Sequence, residues 1–341
     1  MSDKKSTWDE QYMRRCFQLA ELGESYVAPN PKVGAVLVFE NRIIGEGFHR
    51  HFGQAHAEVN CINSVKETDK HLIAQSTLYV SLEPCSHFGK TPPCVDLILQ
   101  HKIPRVFISV QDIFEKVNGS GIEKLKQHGV EVITDVLKEE GENLIKHFLH
   151  YHRFKRPYIT LKWAQSADGY IGSIGERIGI SNKESCYFLH QLRVKHQAIL
   201  VGRNTVLNDN PSLTVRHANG INPLRIVLGS PDGIPGNYAV FNESSPTIFI
   251  SKNDSKNLSS LMRLLYEKQI ISVLVEGGAQ ILNSFIREQL WDEAFVYYSN
   301  KNLQSALPDK ISAPTIHGKI AEIIKFEEDV VINYIPANNI S

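Results

Sequence analysis

Apolar side chains recur along this chain in two rhythms. Between residues 8 and 23, Tyr12, Cys16, Leu19 and Ala20 fall at helical spacing, which predicts a helix. The next apolar runs are short and nearly unbroken: VGAVLVF (33–39) and RIIGEGF (42–48) read as a strand pair. A helix is expected from His56 to about Lys66, then a strand STLYVSL (76–82) that runs straight into the turn Glu83-Pro84-Cys85. Pro93 suits the first turn of a helix reaching His101. The strand RVFISV (105–110), a helix over 120–128, the strand VEVIT and a helix over 136–151 follow. Strands alternating with helices indicate a sheet covered by helices.

The basic, polar segment HRFKRP (152–157) reads as a linker, after which the alternation restarts. Strands are expected at 158–164, 197–202, 224–229, 247–251, 271–278 and 293–299, with helices at 182–195, 257–269 and 279–288. Residues 300–341 yield only a strand near 329–335. The 341 residues exceed what one core comfortably organises, so two α/β domains are predicted, 1–152 and 153–341.

Charge narrows the field of functions. Lys and Arg total 37, as do Asp and Glu. The first 152 residues hold 17 basic and 20 acidic side chains, the rest 20 and 17. Neither part has the basic excess of a nucleic-acid binder. The N-terminus lacks an apolar run behind its charges, and the longest apolar stretches fall far short of the ~20 residues that span a bilayer. No membrane role is expected, and the cytoplasm is the expected location. Five cysteines (Cys16, Cys61, Cys85, Cys94, Cys186) are an odd number, which favours thiols or metal ligands over a disulfide framework.

Three of these residues sit in suggestive company. His56 begins HAE at a predicted helix start; Cys85 and Cys94 each follow a proline, the second at another helix start. Zinc prefers nitrogen and thiolate ligands, and a catalytic site keeps one position open. Glu58 is too near His56 to be an obvious fourth ligand but well placed to shuttle a proton. Zinc nucleobase deaminases carry H-x-E…P-C-x-x-C; here eight residues separate the cysteines. A closed structural site would need a fourth ligand, for which His87 is the candidate, and a structural zinc protein that binds RNA or a partner is the reading of another class. Asn30, between Pro29 and Pro31, lies in a rigid turn, where it either holds a ring or serves the turn alone.

The stretches PNPKVGAVLV, GEGFH, HAEVNC, SLEPCSHFGKTPPC and VNGSGIEKLKQHGVEV resemble the bifunctional deaminase–reductases of riboflavin biosynthesis. The resemblance implies a cytidine-deaminase-like three-layer α/β/α domain followed by a dihydrofolate-reductase-like α/β domain. It implies one zinc ion per chain on His56, Cys85 and Cys94, with Glu58 as proton shuttle. The implied substrate is a diaminopyrimidinone bearing a phosphoribosylamino group, which His49 and Lys90 would approach.

In the second half, YITLKWAQSADG, HQLRVKHQAILVGRNTVLNDNPSLTVR and VLVEGGAQILNSF resemble the same family's reductase domain. The last is informative by itself: a strand ends in Glu276, two glycines follow and a helix begins, so free N–H groups meet an open backbone. No G-x-G-x-x-G adjoins a strand, which disfavours a Rossmann cofactor domain. Carried over position by position, Ala164, Thr205, Asp209 and Gly278, Ala279, Gln280, Ile281, Leu282, Asn283 and Ser284 would line an NADPH site. Arg193, Leu213, Arg216 and Glu276 would line the substrate site, the two arginines gripping the ribose phosphate by forked bonds. Lys162 and Asp168 are acid–base or positioning candidates. Family resemblance also suggests a homodimer through the reductase domains. Three positions depart from the family: Arg177 and Gly179 stand where Ser and Trp are usual, and Gln197 replaces an aspartate. The alternative to a two-site enzyme is a deaminase with a degenerate, non-catalytic second domain.

Overall fold

The computed structural model describes residues 7–88, 92–113, 119–175, 178–251, 253–303 and 309–337. The chain divides into two compact units, Met1–Phe154 and Lys155–Ser341. Among the described residues no helix is long and apolar enough to cross a membrane.

The first unit runs α1 (Thr7–Glu21), β1 (Gly34–Phe39), β2 (Arg42–Phe48), α2 (Ala57–Asn63), β3 (Thr77–Leu82), α3 (Cys94–Gln100), β4 (Arg105–Val110), α4 (Ser120–Gln127), β5 (Glu131–Ile133), α5 (Lys138–Leu144) and α6 (Lys146–Phe154). Its described sheet has the order β2-β1-β3-β4-β5, antiparallel from β2 to β3 and parallel from β3 to β5. The unbroken apolar runs follow from burial of both faces. Ala35, Leu37, Leu78, Val80, Val106 and Ile108 meet residues of α2, α3 and α4 on one side. The alternate residues Val36, Val38, Tyr79 and Phe107 meet Tyr12, Met13, Cys16 and Phe17 of α1 on the other. The result is three layers. Gly47 sets one spacing in them: a Cβ there would lie 2.2 Å from the Cys61 backbone nitrogen, so α2 rests directly on β2.

The second unit runs β6 (Tyr158–Gln165), β7 (Tyr170–Ser173), α7 (Lys183–Lys195), β8 (Ala198–Gly202), α8 (Arg203–Asp209), β9 (Leu224–Leu228), β10 (Thr247–Ile250), α9 (Leu258–Glu267), β11 (Ser272–Gly277), α10 (Ala279–Arg287), β12 (Glu293–Ser299), β13 (Lys310–Ser312), β14 (Gly318–Lys325) and β15 (Asp329–Pro336). The described sheet has the order β10-β9-β8-β11-β6-β12-β15-β14. It is parallel from β10 to β12 and antiparallel through β15 and β14. One face packs on α9 and α10 through residues such as Leu161, Val275, Leu265 and Phe285. The other carries Ile199, Leu274, Phe295 and Tyr297 toward Leu192 of α7.

Several elements differ from the sequence reading. The helix expected over 136–151 is two, because the chain breaks at Ile145. That break seats Ile145, Phe148 and Leu149 together on Leu82 and Val110. The second of these helices runs on to Phe154 through half of the expected linker. The helix expected to reach Lys66 ends at Asn63, and a 3-10 segment fills Glu67–Gln75. Strands β7, β13 and β14 and the short helix α8 were not expected. Gln197, where the family has aspartate, bonds to the turn that leads into β11: its Oε1 accepts from the Ile271 N–H and its Nε2 donates to the Gln269 carbonyl.

Candidate active sites

In the first unit the chemistry gathers where β3 ends and α2 and α3 begin. His56 occupies the position just before α2, and Cys94 opens α3. The His56 Nδ1 lies 3.5 Å from the Cys85 Sγ and 3.3 Å from the Cys94 Sγ. The three donor atoms sit within 4.8 Å of one another, and among the described residues His87 is not part of that group. One imidazole and two thiols converging, with no fourth donor among the described residues, is the ligand set of an open zinc site. The Cys94 backbone N–H points at the Cys85 sulfur from 3.3 Å. Hydrogen bonding from the Cys94 thiol, with His56 adding to it, lowers the pKa of the Cys85 thiol and so favours its thiolate.

Glu58 lies in the first turn of α2 and is 3% exposed. Burial raises its pKa, with His56 opposing in part, so the carboxyl takes up a proton more readily than one in water. The neighbouring wall is His49 and Asn30. The buried His49 uses Nδ1 on the Ala55 carbonyl at 3.1 Å, so that nitrogen carries the proton. Its Nε2 therefore accepts from the Asn30 side-chain amide, also at 3.1 Å. Burial lowers the His49 pKa, in keeping with this neutral ring. The arrangement commits Asn30 Nδ2 and leaves its Oδ1 as the acceptor. Lys90 lies outside the described residues.

In the second unit, strand parity and register bring a polar cluster to the sheet face under α7. Ile159, Leu161 and Trp163 point to the α9–α10 side, so Thr160, Lys162 and Ala164 point to the other. Lys162 is 9% exposed and its Nζ lies 4.5 Å from the centroid of the Tyr297 ring. Glu276, near the end of β11, pairs with Arg193 of α7 through two bonds of 2.7 Å. Arg193 spends its remaining described contact on the Thr214 carbonyl at 2.8 Å. The forked grip expected of Arg193 on a phosphate is thus made to a carboxylate: both side chains are 8% exposed, and a buried cation requires this pairing. Burial would raise the Glu276 pKa, but Arg193 and Lys162 outweigh it and hold the carboxyl below its usual value. Burial lowers Lys162, with Glu276 opposing.

Arg216 remains exposed, with Nη1 3.2 Å from the Thr214 hydroxyl. Its backbone N–H donates to Nδ1 of the fully buried His190 at 3.1 Å. Leu213 beside it is buried, with φ of 52°. Asp168 serves a turn: its carboxylate accepts the Leu303 N–H at 3.0 Å. Arg177 lies outside the described residues, and Gly179 is exposed, with open space where a side chain would begin.

Of the expected cofactor residues, Thr205 and Gly278 come together at the ends of β8 and β11. A Cβ on Gly278 would stand 3.1 Å from the Thr205 hydroxyl, which places α8 beside the glycine turn. Gly277 has φ of 141°, a conformation open to glycine. Ala279, Gln280, Ile281, Leu282, Asn283 and Ser284 form the first turns of α10, where the Ile281 and Leu282 N–H groups donate to the Gly278 carbonyl at 3.0 and 3.2 Å. Ile281 and Ser284 line a cavity of about 240 Å³ with Leu228, Asn257 and Leu258. Leu282 instead turns its side chain wholly into the core. Asp209 ends α8, and Ala164 lies opposite Tyr297 in register. Sequence reasoning missed His190, Cys186, Tyr297 and Asp329. The alternation of β12 was the available signal for Tyr297; nothing local pointed to the others as site residues.

Comparison with known proteins agrees with this geometry. Residues 6–110 match the family model of the cytidine and deoxycytidylate deaminase zinc-binding region, and residues 157–331 match that of the RibD C-terminal domain. The riboflavin biosynthesis protein RibD of Aquifex aeolicus is 39% identical over 88% of this chain and 89% of its own. That of Bacillus amyloliquefaciens is 36% identical over 96% of each. Among solved structures, a diaminohydroxyphosphoribosylaminopyrimidine deaminase/5-amino-6-(5-phosphoribosylamino)uracil reductase of Thermotoga maritima superposes with a TM-score of 0.87. It is 36% identical and covers 96% of this chain and 99% of its own. The RibD of Acinetobacter baumannii superposes with a TM-score of 0.85 at 28% identity, covering 96% and 99%.

Proposed function

The chain belongs to the RibD family, the bifunctional deaminase–reductases of riboflavin biosynthesis, and on that premise we propose which of its residues perform the two reactions. The deaminase acts on 2,5-diamino-6-(5-phosphoribosylamino)pyrimidin-4(3H)-one. The reductase then converts the ribosyl group of 5-amino-6-(5-phosphoribosylamino)uracil to ribityl. The observation that carries the reading is the convergence of His56, Cys85 and Cys94 beside the buried Glu58.

These three side chains would hold one zinc ion. When bound, zinc supplies a Lewis acid that makes water a nucleophile near neutral pH. Glu58 accepts a proton from the attacking water and returns it to the departing ring amine, a double task that its raised pKa suits. The Asn30 Oδ1, left over after Nδ2 bonds His49, accepts from the pyrimidine.

In the second unit, NADPH supplies the hydride when bound along Thr205, Asp209, Ala164 and the start of α10. Lys162 donates a proton to the ribose ring oxygen as the C1′–O4′ bond opens and C1′ takes the hydride. The Arg193–Glu276 pair shapes that wall, and Arg216, the exposed guanidinium, holds the phosphate.

A homodimer would form through β14. This strand shows Ile320 and Ile323 to solvent, 55% and 52% exposed, at an edge that no strand pairs among the described residues. Ile323→Glu is expected to give a monomer by light scattering. Five thiols, free in the structure, suit the cytoplasm. The two-site reading is tested by incubating zinc-loaded protein with the phosphoribosylaminopyrimidine, assaying ammonia, then adding NADPH and following its absorbance. Ammonia release followed by NADPH consumption is expected; ammonia without NADPH oxidation would leave a deaminase alone.

A further inference from the structure

We infer that Tyr297 is a positioning residue for the reductive step: the face of its ring holds the Lys162 ammonium in place and charged at the working end of β6. This rests on the reading of Lys162 as proton donor. The geometry starts from register. On β12, Phe295 stands opposite Lys162 and Tyr297 opposite Ala164, so Tyr297 is one pair further along on the same face. From there its ring lies under the ammonium, 4.5 Å from centroid to Nζ. A cation is drawn to the negative face of an aromatic ring, and more strongly where water is excluded. Here Tyr297 is 1% and Lys162 9% exposed.

The surrounding charges explain why a ring is needed. Glu276 of β11 commits both carboxylate oxygens to Arg193 of α7. Asp329 of β15 gives Oδ2 to the Asn182 N–H and the Ser185 hydroxyl, and its buried Oδ1 has no hydrogen-bond partner among the described residues. Cys186 of α7 is the remaining titratable group that acts on the lysine. Among the described residues none of these makes a salt bridge or hydrogen bond to Nζ, so the ring is its close partner. A carboxylate there would capture N–H donors in fixed directions. A ring face attracts the charge and leaves donors free for the substrate oxygen. The Tyr297 hydroxyl, buried without a hydrogen-bond partner among the described residues, has no part in this contact. The ring itself is fixed by packing, 6.4 Å from Phe188 of α7.

The test uses the full-length, zinc-loaded enzyme and follows NADPH oxidation with the deaminated pyrimidine as a function of pH. Tyr297→Phe, which keeps the ring face, should retain wild-type kcat within about twofold and the same pH profile. Tyr297→Leu should lose part of the attraction that keeps Lys162 protonated. Its basic limb should move down by roughly one pH unit, so that kcat on that limb falls by up to about tenfold while the Kd for NADPH stays unchanged. Ammonia release by the first unit reports that each variant is folded there, and NADPH binding reports the second. Should Tyr297→Leu not fold, a ring-fluorinated phenylalanine at 297 keeps the shape, weakens the ring face and should give the same shift. A wild-type pH profile in Tyr297→Leu or in the fluorinated protein overturns the inference. So does a loss in Tyr297→Phe equal to that in Tyr297→Leu, which would assign the role to the hydroxyl. Lys162→Met is the separate check on the underlying reading: full reductase activity there removes Lys162 as proton donor, whatever Tyr297 does.

Discussion

Glu58 is buried in the first turn of α2, where the proposed proton shuttle would use it. Glu58→Gln keeps size and polarity but cannot carry a proton between water and amine. Zinc content should stay at the wild-type level, ammonia release should fall by about 10²–10⁴-fold, and NADPH oxidation with deaminated substrate should persist. Metal analysis beside the two assays decides this, and loss of zinc would make Glu58 structural. The two arginines should separate in the same way. Arg216→Ala removes an exposed guanidinium and should raise the KM for phosphorylated substrate while leaving folding intact. Arg193→Ala strands the buried Glu276 carboxylate and should cost about 3–5 kcal/mol in urea unfolding. His190 supplies a pH signature. Burial, then Arg193, Arg216 and His217, lower its pKa to about 4. An unfolded histidine near 6.5 binds a proton that the folded one refuses, so this contribution to stability is lost as pH falls through the window between them. The stability gap between wild type and His190→Asn should therefore narrow from pH 7 to pH 5.

Elements place these residues by close contact. Helix α2 carries Glu58 and lies so near β2 that Gly47 has no room for a methyl group. Gly47→Ala should push α2 outward, cost about 1–3 kcal/mol, and slow deamination while sparing the reductase. Thermal unfolding and the paired assays would read both effects; equal losses in the two activities would contradict it. The sequence made the central strands plain because each is a short apolar run bounded by turns, as in TLYVSL and RVFISV. It misled where packing overrode local preference. The stretch 136–151 has helical spacing throughout, yet the core accepts Ile145 only if the helix breaks. The stretch GKIAEIIK has apolar positions that suit helix and strand alike; pairing with β15 decides for a strand. The seven residues of α8 were too few to announce a helix.

At the scale of the molecule, two compact units carry two chemistries that separate ligands should stabilise independently. A zinc chelator should lower the melting temperature of a transition that NADPH does not move. NADPH at about 100 times its Kd should stabilise the other by about 2.7 kcal/mol. Calorimetry with each addition tests this, and one transition that responds to both would show that the units melt together.

The zinc centre is legible in the sequence because its residues lie within short motifs. His56 and Glu58 share one helix start, and each cysteine marks a strand end or helix start, so local backbone geometry already orients them. The strand–glycine–helix turn after Glu276 is legible for the same reason. In the second unit the resemblance named Lys162, Arg193 and Glu276 singly, but not their clustering with one another and with Tyr297 and Asp329, because these residues come from β6, α7, β11, β12 and β15. Only sheet order, register and the packing of α7 over one face bring them together. Arg193 shows the difference most plainly. As a residue type it fits a phosphate, but the fold buries it beside Glu276, and a buried cation must pair with the anion that burial leaves nearest.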